Sequence, residues 1–320
     1  MLVGLFLAAD WALVVVLNKR LLAFFEPLPL NLVLRVVTLG ALLGMTVPMT
    51  VLGWWDLGFG LSAGAAGYIA VSAVITWVFA FNAYYSALRK GRASVVAPVT
   101  ATDPIWAALF APLVLGAGLD PLVVAGLVVA TAGVALIAHW TSRTDGELPE
   151  AAGVPAPATV VPAAGAERAP AGVLSTVTLA AVAAAGWGLG PVIIEAAENL
   201  DGGASAGMMV LSHLLGVLLV GGMVLVRRGP FLTTPLGGNG HRVVLLLLAS
   251  GVLEALFAVL YYLTIEVIGA VLTLLLGATS PLFTIVGSAV ILKERVDRRL
   301  IAASLVTMGG VVIAILARVV

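Results

Sequence analysis

The sequence predicts an all-α integral membrane protein whose ten transmembrane helices form two inverted five-helix repeats. Three observations lead to this prediction: an apolar composition, ten apolar runs of spanning length, and an internal duplication. Of the 320 residues, 62% are hydrophobic and only 10% are charged, and the mean hydropathy is +1.16. A soluble domain carries roughly 25% charged residues, so this chain lacks the polar residues that would cover a water-facing surface.

The duplication is visible when the chain is shifted along itself until Pro104 lies on Pro281. This repeat shift also places Tyr84-Tyr85 on Tyr261-Tyr262, Asp120 on Asp297, and Gly133 on Gly310. One shift that fits four landmarks indicates an internal repeat. The segment 101–104 (Ala-Thr-Asp-Pro) aligns with 278–281 (Ala-Thr-Ser-Pro), so an aspartate in the first copy stands where the second copy has a serine.

The elements follow from runs of roughly 20 mostly apolar residues, the length that spans a bilayer. These runs are 2–18, 30–52, 65–88, 93–116, 121–139, 173–195, 204–226, 242–265, 268–292 and 299–317. We therefore predict a first repeat over residues 1–139 and a second over 173–320. The intervening segment 140–172 is rich in Pro and Ala without apolar periodicity, which predicts a flexible linker.

The charges in the loops predict an orientation. The odd-numbered loops hold 14 of the 16 basic residues, whereas the even-numbered loops hold acidic residues only. Because basic loops stay on the cytoplasmic side, we expect a multi-pass protein of the cell membrane with both termini outside. Five helices per repeat mean that the second repeat enters the bilayer in the opposite sense, the plan of many secondary transporters.

Composition also excludes several functions. The chain has no cysteine, three widely separated histidines and a formal net charge of zero. We therefore expect no metal site, no cofactor and no nucleic-acid partner; the expected partner is the lipid bilayer. The sequence lacks a GxxxxGK[ST] loop for ATP and a His-Asp or Glu-His cluster for intramembrane catalysis, which argues against an ATP-driven pump and against an enzyme.

The motifs resemble a known family. In the first copy these are Tyr84-x-x-Ala87-Leu88, a proline at 104 and glycines at 126 and 133; in the second they are Pro281-Leu282-Phe283, the turn 292–295 (Leu-Lys-Glu-Arg) and Gly309-Gly310. This pattern resembles the EamA repeat, and the whole chain is similar to ten-helix members of the drug/metabolite transporter superfamily. One departure is that Ala117 aligns with Glu294. Another is that the second loop, 53–56 (Gly-Trp-Trp-Asp), is not basic. Many relatives carry basic residues in this loop, and the resemblance implies cytoplasmic termini for them, so this orientation is the alternative to the one that the loop charges predict.

The resemblance implies a function. It implies a secondary active transporter, working by alternating access as a monomer or homodimer, that exports a small metabolite or an amphipathic or cationic drug-like compound in exchange for protons. A translocator of lipids or lipid-linked headgroups on the same fold is the alternative.

Asp10 is the first polar candidate inside a span. Its placement before Trp11 is similar to that of the essential glutamate in the first helix of small multidrug resistance proteins, which implies a coupling role for Asp10. A carboxylic acid in apolar surroundings takes up a proton more readily than one in water. The alternative is a position near the membrane surface, because only nine residues precede it.

Asp103 is the second candidate, next to a proline. Pro104 removes a backbone donor from the carbonyl of Thr100, and Pro281 does the same for Gly277, which predicts a kink in each span. In lipid the freed carbonyls need polar partners, which Thr102, Thr279 and Ser280 are placed to supply. Asp103 is expected to take part in transport or binding; the alternative is a structural ion pair with Arg35.

Two helix faces are predicted to line a central cavity. In the third span the face carries Trp77, Phe81 and Tyr84, and the repeat shift places Glu254, Ala258 and Tyr261 on the matching face of the eighth. Trp106 and Trp187 would add aromatic surface, and Glu254 or Asp103 would bind a cationic group. Ordinary packing of these aromatic residues is the alternative, and for the lone His213 packing is the favoured interpretation.

Overall fold

The structure is a computed structural model that describes residues 2–53, 61–116, 118, 121–144, 173–201, 206–277, 279–294 and 296–319. Within these residues the protein is helical and contains no strand; an isolated bridge joins Phe25 to Leu232. Most of the predicted linker (145–172) lies outside the described residues, and so do Ala117, Asp120 and Arg295.

The helices of the first half occupy the five predicted runs. They are α1 (Leu2–Leu21), α2 (Pro27–Val51), α3 (Ala63–Ala73), α4 (Phe81–Lys90), α5 (Ala93–Thr100), α6 (Asp103–Leu115) and α7 (Pro121–Thr144). A π-helical stretch, Val74–Ala80, joins α3 to α4, so that one continuous helical span covers Ala63–Lys90.

The helices of the second half repeat this order. They are α8 (Val173–Asp201), α9 (Ala206–Arg227), α10 (Gly240–Ile268), α11 (Ala270–Gly277), α12 (Ser280–Ile291) and α13 (Arg298–Val319). Among the described residues, six stretches are long and apolar enough to cross a membrane: Pro27–Val51, Ala63–Lys90, Ala93–Leu115, Val173–Asp201, Ala206–Arg227 and Gly240–Ile265. Val124–Ile137 and Ser280–Ile291 are shorter apolar helices.

The two prolines break their spans instead of kinking them, which corrects the prediction of a bent but continuous helix. The chain leaves the helix after Thr100 and re-enters it at Asp103, where Pro104 occupies the first turn of α6. A proline is favoured there because the first amides of a helix have no partner to lose. In the second half α11 ends at Gly277 and α12 starts at Ser280, the positions that the repeat shift assigns to the same break.

Contacts between the helices follow the same shift. The repeat shift relates α1 to α8 and α6 to α12. In agreement with this relation, α1 packs against α12 and α8 packs against α6. The repeat shift also relates α7 to α13, so exchange of the two halves leaves the contact between these two helices in place. A Cβ atom on Gly133 would lie 2.8 Å from the Cα atom of Thr307, and a Cβ atom on Gly310 would lie 2.8 Å from the Cα atom of Ala130. Such reciprocal contacts are the signature of a two-fold relation.

Glycine is required at these positions because the backbones of α7 and α13 approach too closely for a side chain. We predict that Gly310→Leu destabilises the protein by about 1–3 kcal/mol, the usual effect of forcing extra atoms into a packed interface. Gly309→Leu is the matched control, because a Cβ atom at Gly309 meets nothing within 4 Å. Thermal unfolding of the purified variants measures the difference, and equal stability of the two would contradict this account of the α7–α13 contact.

Candidate functional site

A cavity of about 140 Å³ lies between the two halves. This volume is well above the roughly 10–15 Å³ that a cavity needs to hold one water molecule. Polar and aromatic side chains from both halves line it, among them the predicted site residues Trp11, Arg35, Trp77, Phe81, Asp103, Trp187, Glu254 and Tyr261. The predicted cavity faces of the third and eighth spans therefore border one space.

Both helix breaks open onto this cavity. Thr100, Ala101 and Asp103 line it from the first break, and Gly277 and Ser280 line it from the second. The two breaks are placed alike, because the repeat shift brings Thr100 onto Gly277 and Asp103 onto Ser280.

Backbone carbonyl groups are left without helical donors at the first break. Residue 104 is a proline and cannot donate to the carbonyl oxygen of Thr100. The amide of Ile105 donates to Thr102 (3.0 Å) and not to Ala101. The amide of Leu282 makes the matching bond to Thr279 (3.2 Å). At the first break the carbonyl oxygens of Thr100 and Ala101, two residues that line the cavity, are therefore left without a helical donor.

The threonine hydroxyls at the first break have other partners than expected. Thr100 Oγ1 donates to the carbonyl of Ala97 (3.0 Å), and Thr102 Oγ1 donates to that of Val99 (2.8 Å). The prediction that Thr102 would satisfy the carbonyl freed by Pro104 is therefore wrong. The two hydroxyls bond to carbonyl groups at the end of α5 and do not bond to those that Pro104 frees.

Glu254 is the centre of a buried polar cluster. Its Oε2 atom pairs with the Arg35 guanidinium and accepts a bond from Thr38 Oγ1 (3.2 Å). Its Oε1 atom accepts from Asn18 Nδ2 (3.2 Å), and the Tyr85 hydroxyl lies 3.5 Å away. Three helices of the first half, α1, α2 and α4, thus direct donors at one carboxylate of the second half.

The partner of Arg35 differs from the one that the sequence analysis considered. The sequence left open a pairing of Arg35 with Asp103, but Arg35 pairs with Glu254. The side chains of the pair are 1% and 3% exposed, and the Arg35 guanidinium carbon lies 4.4 Å from the ring centroid of Trp77 and 4.6 Å from that of Phe81. The aromatic faces and the carboxylate together compensate the buried charge.

A second contact mirrors the ion pair. Trp77 Nε1 donates to Ser212 Oγ over 3.1 Å. The repeat shift aligns Arg35 with Ser212 and Trp77 with Glu254. The same pair of positions is therefore ionic in one copy and neutral in the other. Ser212 was missed because a serine in an apolar helix gives no signal alone; its alignment with Arg35 in the repeat is the signal that could have found it.

Aromatic rings form one wall of the cavity. Trp11 contacts Trp187 (centroids 5.4 Å apart) and Phe257 (5.1 Å), and Phe257 stacks on Tyr261 (5.3 Å). Phe257 lines the cavity and was not predicted, because its counterpart in the first copy, Ala80, is not aromatic. The wall suits an apolar or flat portion of a ligand.

Three predicted residues lie away from the cavity lining. Tyr84 is fully buried behind the wall, 4.9 Å from Trp187 between ring centroids. Trp106 stacks on Phe110, and its Cβ atom packs against Gly188 of α8, so its place fits the packing alternative. Asp10 adjoins the lining residue Trp11 but is not itself part of the lining.

Asp10 is buried among the helices, although it lies near the start of the chain. The residue is 5% exposed, and neither carboxylate oxygen has a hydrogen-bond partner among the described residues. Such a group is an exception in a membrane protein, where a buried carboxylate normally faces a partner or a water-filled space. The burial does not fit the alternative of a carboxylate solvated at the membrane surface.

Asp103 and His213 occupy different surroundings. Asp103 lines the cavity at the first break, and no hydrogen bond or ion pair of its carboxylate with another described side chain is present. His213 also lines the cavity, with Nδ1 2.9 Å from the carbonyl oxygen of Met209 and its ring 4.7 Å from that of Trp77. Asp103 is thus the more available of the two for a ligand.

Polar contacts join the two halves at one end of the bundle. Glu294, in the loop before α13, accepts bonds from the amides of Ala93 (2.9 Å) and Ser94 (3.1 Å) and from the Ser94 hydroxyl (2.8 Å). The Arg20 guanidinium donates to the carbonyl of Ile291 (2.8 Å). The carboxylate caps the N-terminus of α5, whose other end carries the first helix break.

The fold and the site together define a membrane protein of two structural repeats that share one central polar cavity. The sequence profile of the EamA-like transporter family matches residues 1–139 and 174–316. The chain belongs to this family, which is a family of membrane transporters of small substrates and not a family of enzymes.

One solved structure supports the fold. A crystal structure, described only as that of a protein, is similar with a TM-score of 0.63 and 16% identity, over 99% of this chain and 96% of that chain. At this identity the likeness concerns the fold alone. No curated protein matches the sequence.

The cap formed by Glu294 gives a direct prediction. Glu294→Ala removes three acceptor contacts from α5, and loss of an N-cap costs about 0.5–2 kcal/mol, so the first amides of α5 should exchange with solvent roughly 2- to 30-fold faster. Hydrogen–deuterium exchange of residues 93–96 measures this. Asp297→Ala is the control, because this carboxylate lies in the same loop and, among the described residues, accepts a bond from the Arg299 amide of α13 and none from α5. Unchanged exchange in the Glu294 variant would mean that the contact does not hold α5.

Proposed function

We propose that the protein is a secondary active transporter that exports a small cationic or amphipathic compound in exchange for protons, by alternating access. The observation that carries the proposal is the cavity shared by two equivalent helix breaks, with an unpaired carboxylate, Asp103, at one of them. Discontinuous helices at a repeat interface are where secondary transporters bind their substrates.

The charges of the cavity favour a cationic group. Arg35 is already neutralised by Glu254, whereas Asp103 has no charged partner among the described residues. The carbonyl oxygens of Thr100 and Ala101 lie at the same break, and oxygen acceptors without donors attract an ammonium group. Aromatic rings then receive the rest of the molecule. Glu254, a second candidate for the cationic group in the sequence, is occupied by Arg35.

The proposal includes a membrane topology. All ten predicted runs cross the membrane, residues 1–139 and 173–320 form inverted repeats, and 140–172 links them. The reciprocal contacts of Gly133 and Gly310 favour this arrangement, as does the matching position of the breaks. By the loop charges, the end that carries Glu294 faces the cytoplasm of the cell, and both termini lie outside.

Binding of a cation at Asp103 is testable without transport. Thermal-shift screening of the purified protein against polyamines, nucleosides, amino acids and cationic dyes identifies a stabilising compound. We expect Asp103→Asn to weaken its affinity by about 10- to 100-fold, the effect of losing a charge-assisted hydrogen bond of roughly 1.5–3 kcal/mol. Asp201→Asn, at an exposed helix end, should leave the affinity unchanged. A ligand that binds the Asp103 variant as tightly as the parent would contradict the assignment.

The breaks themselves are expected to permit the change between inward- and outward-open states. Pro104→Ala and Pro281→Ala restore a backbone donor and favour a continuous helix, so both should slow this change. A single cysteine introduced as Ser280→Cys reports it through labelling by impermeant thiol reagents from each side, since the chain has no other cysteine. Pro112→Ala, within α6 and away from the break, is the control. If the introduced cysteine in the Pro104→Ala and Pro281→Ala variants is labelled from both sides as fast as in the parent, the prolines are not needed for the change between the two states.

A further inference from the structure

The charge that a ligand meets in the cavity comes from one side chain. The acidic, basic and imidazole side chains of the lining are Arg35, Asp103, His213 and Glu254. Arg35 and Glu254 neutralise each other in an ion pair whose side chains are 1% and 3% exposed. Asp103 is half-buried at the first helix break and has no ion-pair partner among the described residues. Asp103 therefore carries the uncompensated charge of the described lining.

His213 contributes an acceptor and no charge. Its Nδ1 atom lies 2.9 Å from the carbonyl oxygen of Met209, and a carbonyl oxygen only accepts, so Nδ1 carries the proton. No carboxylate of the described residues pairs with this buried ring, which is therefore neutral, because an uncompensated buried cation is strongly disfavoured. In this tautomer Nε2 is a hydrogen-bond acceptor. The ring thus offers no donor to a carboxylate in the cavity.

The helix starts at the two breaks offer few amides to an anion, although a helix N-terminus commonly attracts one. Pro104 and Pro281 occupy the first turns of α6 and α12 and have no N–H group. The amides of Ile105 and Leu282 donate to carbonyl groups of the break threonines, over 3.0 and 3.2 Å. At the first break, by contrast, two carbonyl oxygens lack a helical donor. The polar groups therefore suit a ligand that donates hydrogen bonds.

Charge balance sets the net charge of the ligand. With Arg35 paired, His213 neutral and Asp103 ionised, the described lining carries one negative charge. A single ammonium group cancels this charge. An amino acid would leave its own carboxylate unmatched beside Asp103, and a diamine would add an unmatched cation. Either compound would leave a net charge in an apolar interior, which is strongly disfavoured.

The volume of the cavity and its neighbouring rings limit the rest of the molecule. A cavity of about 140 Å³ is close to the roughly 150 Å³ that holds one benzene molecule. A Cβ atom on Gly188 would lie 2.6 Å from the carbonyl oxygen of Asp103, which places α8 against the first break. Trp187, the preceding residue in α8, also lines the cavity. One aromatic ring or a short alkyl chain therefore fits beside an ammonium group at Asp103.

We propose that the transported compound is a small monoamine, with a single ammonium group on one aromatic ring or a short alkyl chain and without a carboxylate. This assignment rests on the proposed function, because it names the substrate class of the same site. The cavity selects this class by charge and by size. It discriminates against the amino acid that carries the same side chain and against the diamine of the same chain length.

Matched ligands test the charge of the compound at constant pH. Isothermal titration calorimetry of the purified protein would compare phenethylamine with phenylalanine, which adds a carboxylate, and with phenylalaninamide, which replaces that carboxylate by a neutral amide of the same size. We expect phenylalanine to bind at least about 10-fold more weakly than phenethylamine, because its carboxylate meets Asp103, and phenylalaninamide to regain most of the loss. Butylamine should likewise bind more tightly than 1,4-diaminobutane. Phenylalanine that binds as tightly as phenethylamine would overturn the monoamine assignment.

Asp103→Asn separates the failure of this assignment from a failure of the proposed function. Without the carboxylate, the difference in affinity between phenethylamine and phenylalanine should shrink to less than about 3-fold, whereas Asp201→Asn, at an exposed helix end, should retain it. An amino acid that binds the parent and loses its affinity in Asp103→Asn would leave the proposed cation site in place and overturn the monoamine. Failure of every amine to bind would overturn both.

Discussion

The bond between Arg35 and Glu254 is the interaction on which the arrangement of the helices depends. It joins α2 of the first half to α10 of the second, and donors from α1 and α4 converge on the same carboxylate. Removal of one partner from a buried ion pair costs about 3–5 kcal/mol, because the remaining charge is left uncompensated. The pair therefore fixes the two halves relative to each other at the cavity, and it places the aromatic rings of Trp77 and Phe81 beside the guanidinium.

The structure combines a symmetric scaffold with asymmetric chemistry. Breaks at equivalent positions, reciprocal glycine contacts and paired helix packing all follow the repeat shift. The polar groups do not follow it: Asp103 corresponds to Ser280, Glu254 to Trp77, and Arg35 to Ser212. A scaffold of two related halves is the kind of structure that the proposed alternating access uses. The unequal side chains make the two sides of one cavity chemically different.

Much of the fold was predictable from the sequence because membrane helices leave strong signals. Apolar runs of spanning length indicated the helices, and the repeated Ala-Thr-x-Pro segment pointed to the two breaks. The partner of Arg35 was not predictable, because spacing along a helix does not give its rotation relative to another helix. Trp106 illustrates the same limit: its ring stacks on Phe110, away from the cavity, since α6 presents that side to Gly188 of α8. The sequence predicted kinks at Pro104 and Pro281, whereas the structure has breaks. A proline in the first turn of a new helix and a proline inside a continuous helix are surrounded by the same apolar residues, so the sequence does not distinguish them.

Exchange of a proton for a cationic compound is the central claim, and transport into proteoliposomes measures it most directly. The purified protein would be reconstituted, and a cation that stabilises it would be offered outside vesicles loaded at lower internal pH. We predict that the compound accumulates against its own gradient while the vesicle interior becomes less acidic, and that both signals vanish when the pH gradient is collapsed. Uptake that only equalises the concentrations, with or without the pH gradient, would contradict the claim.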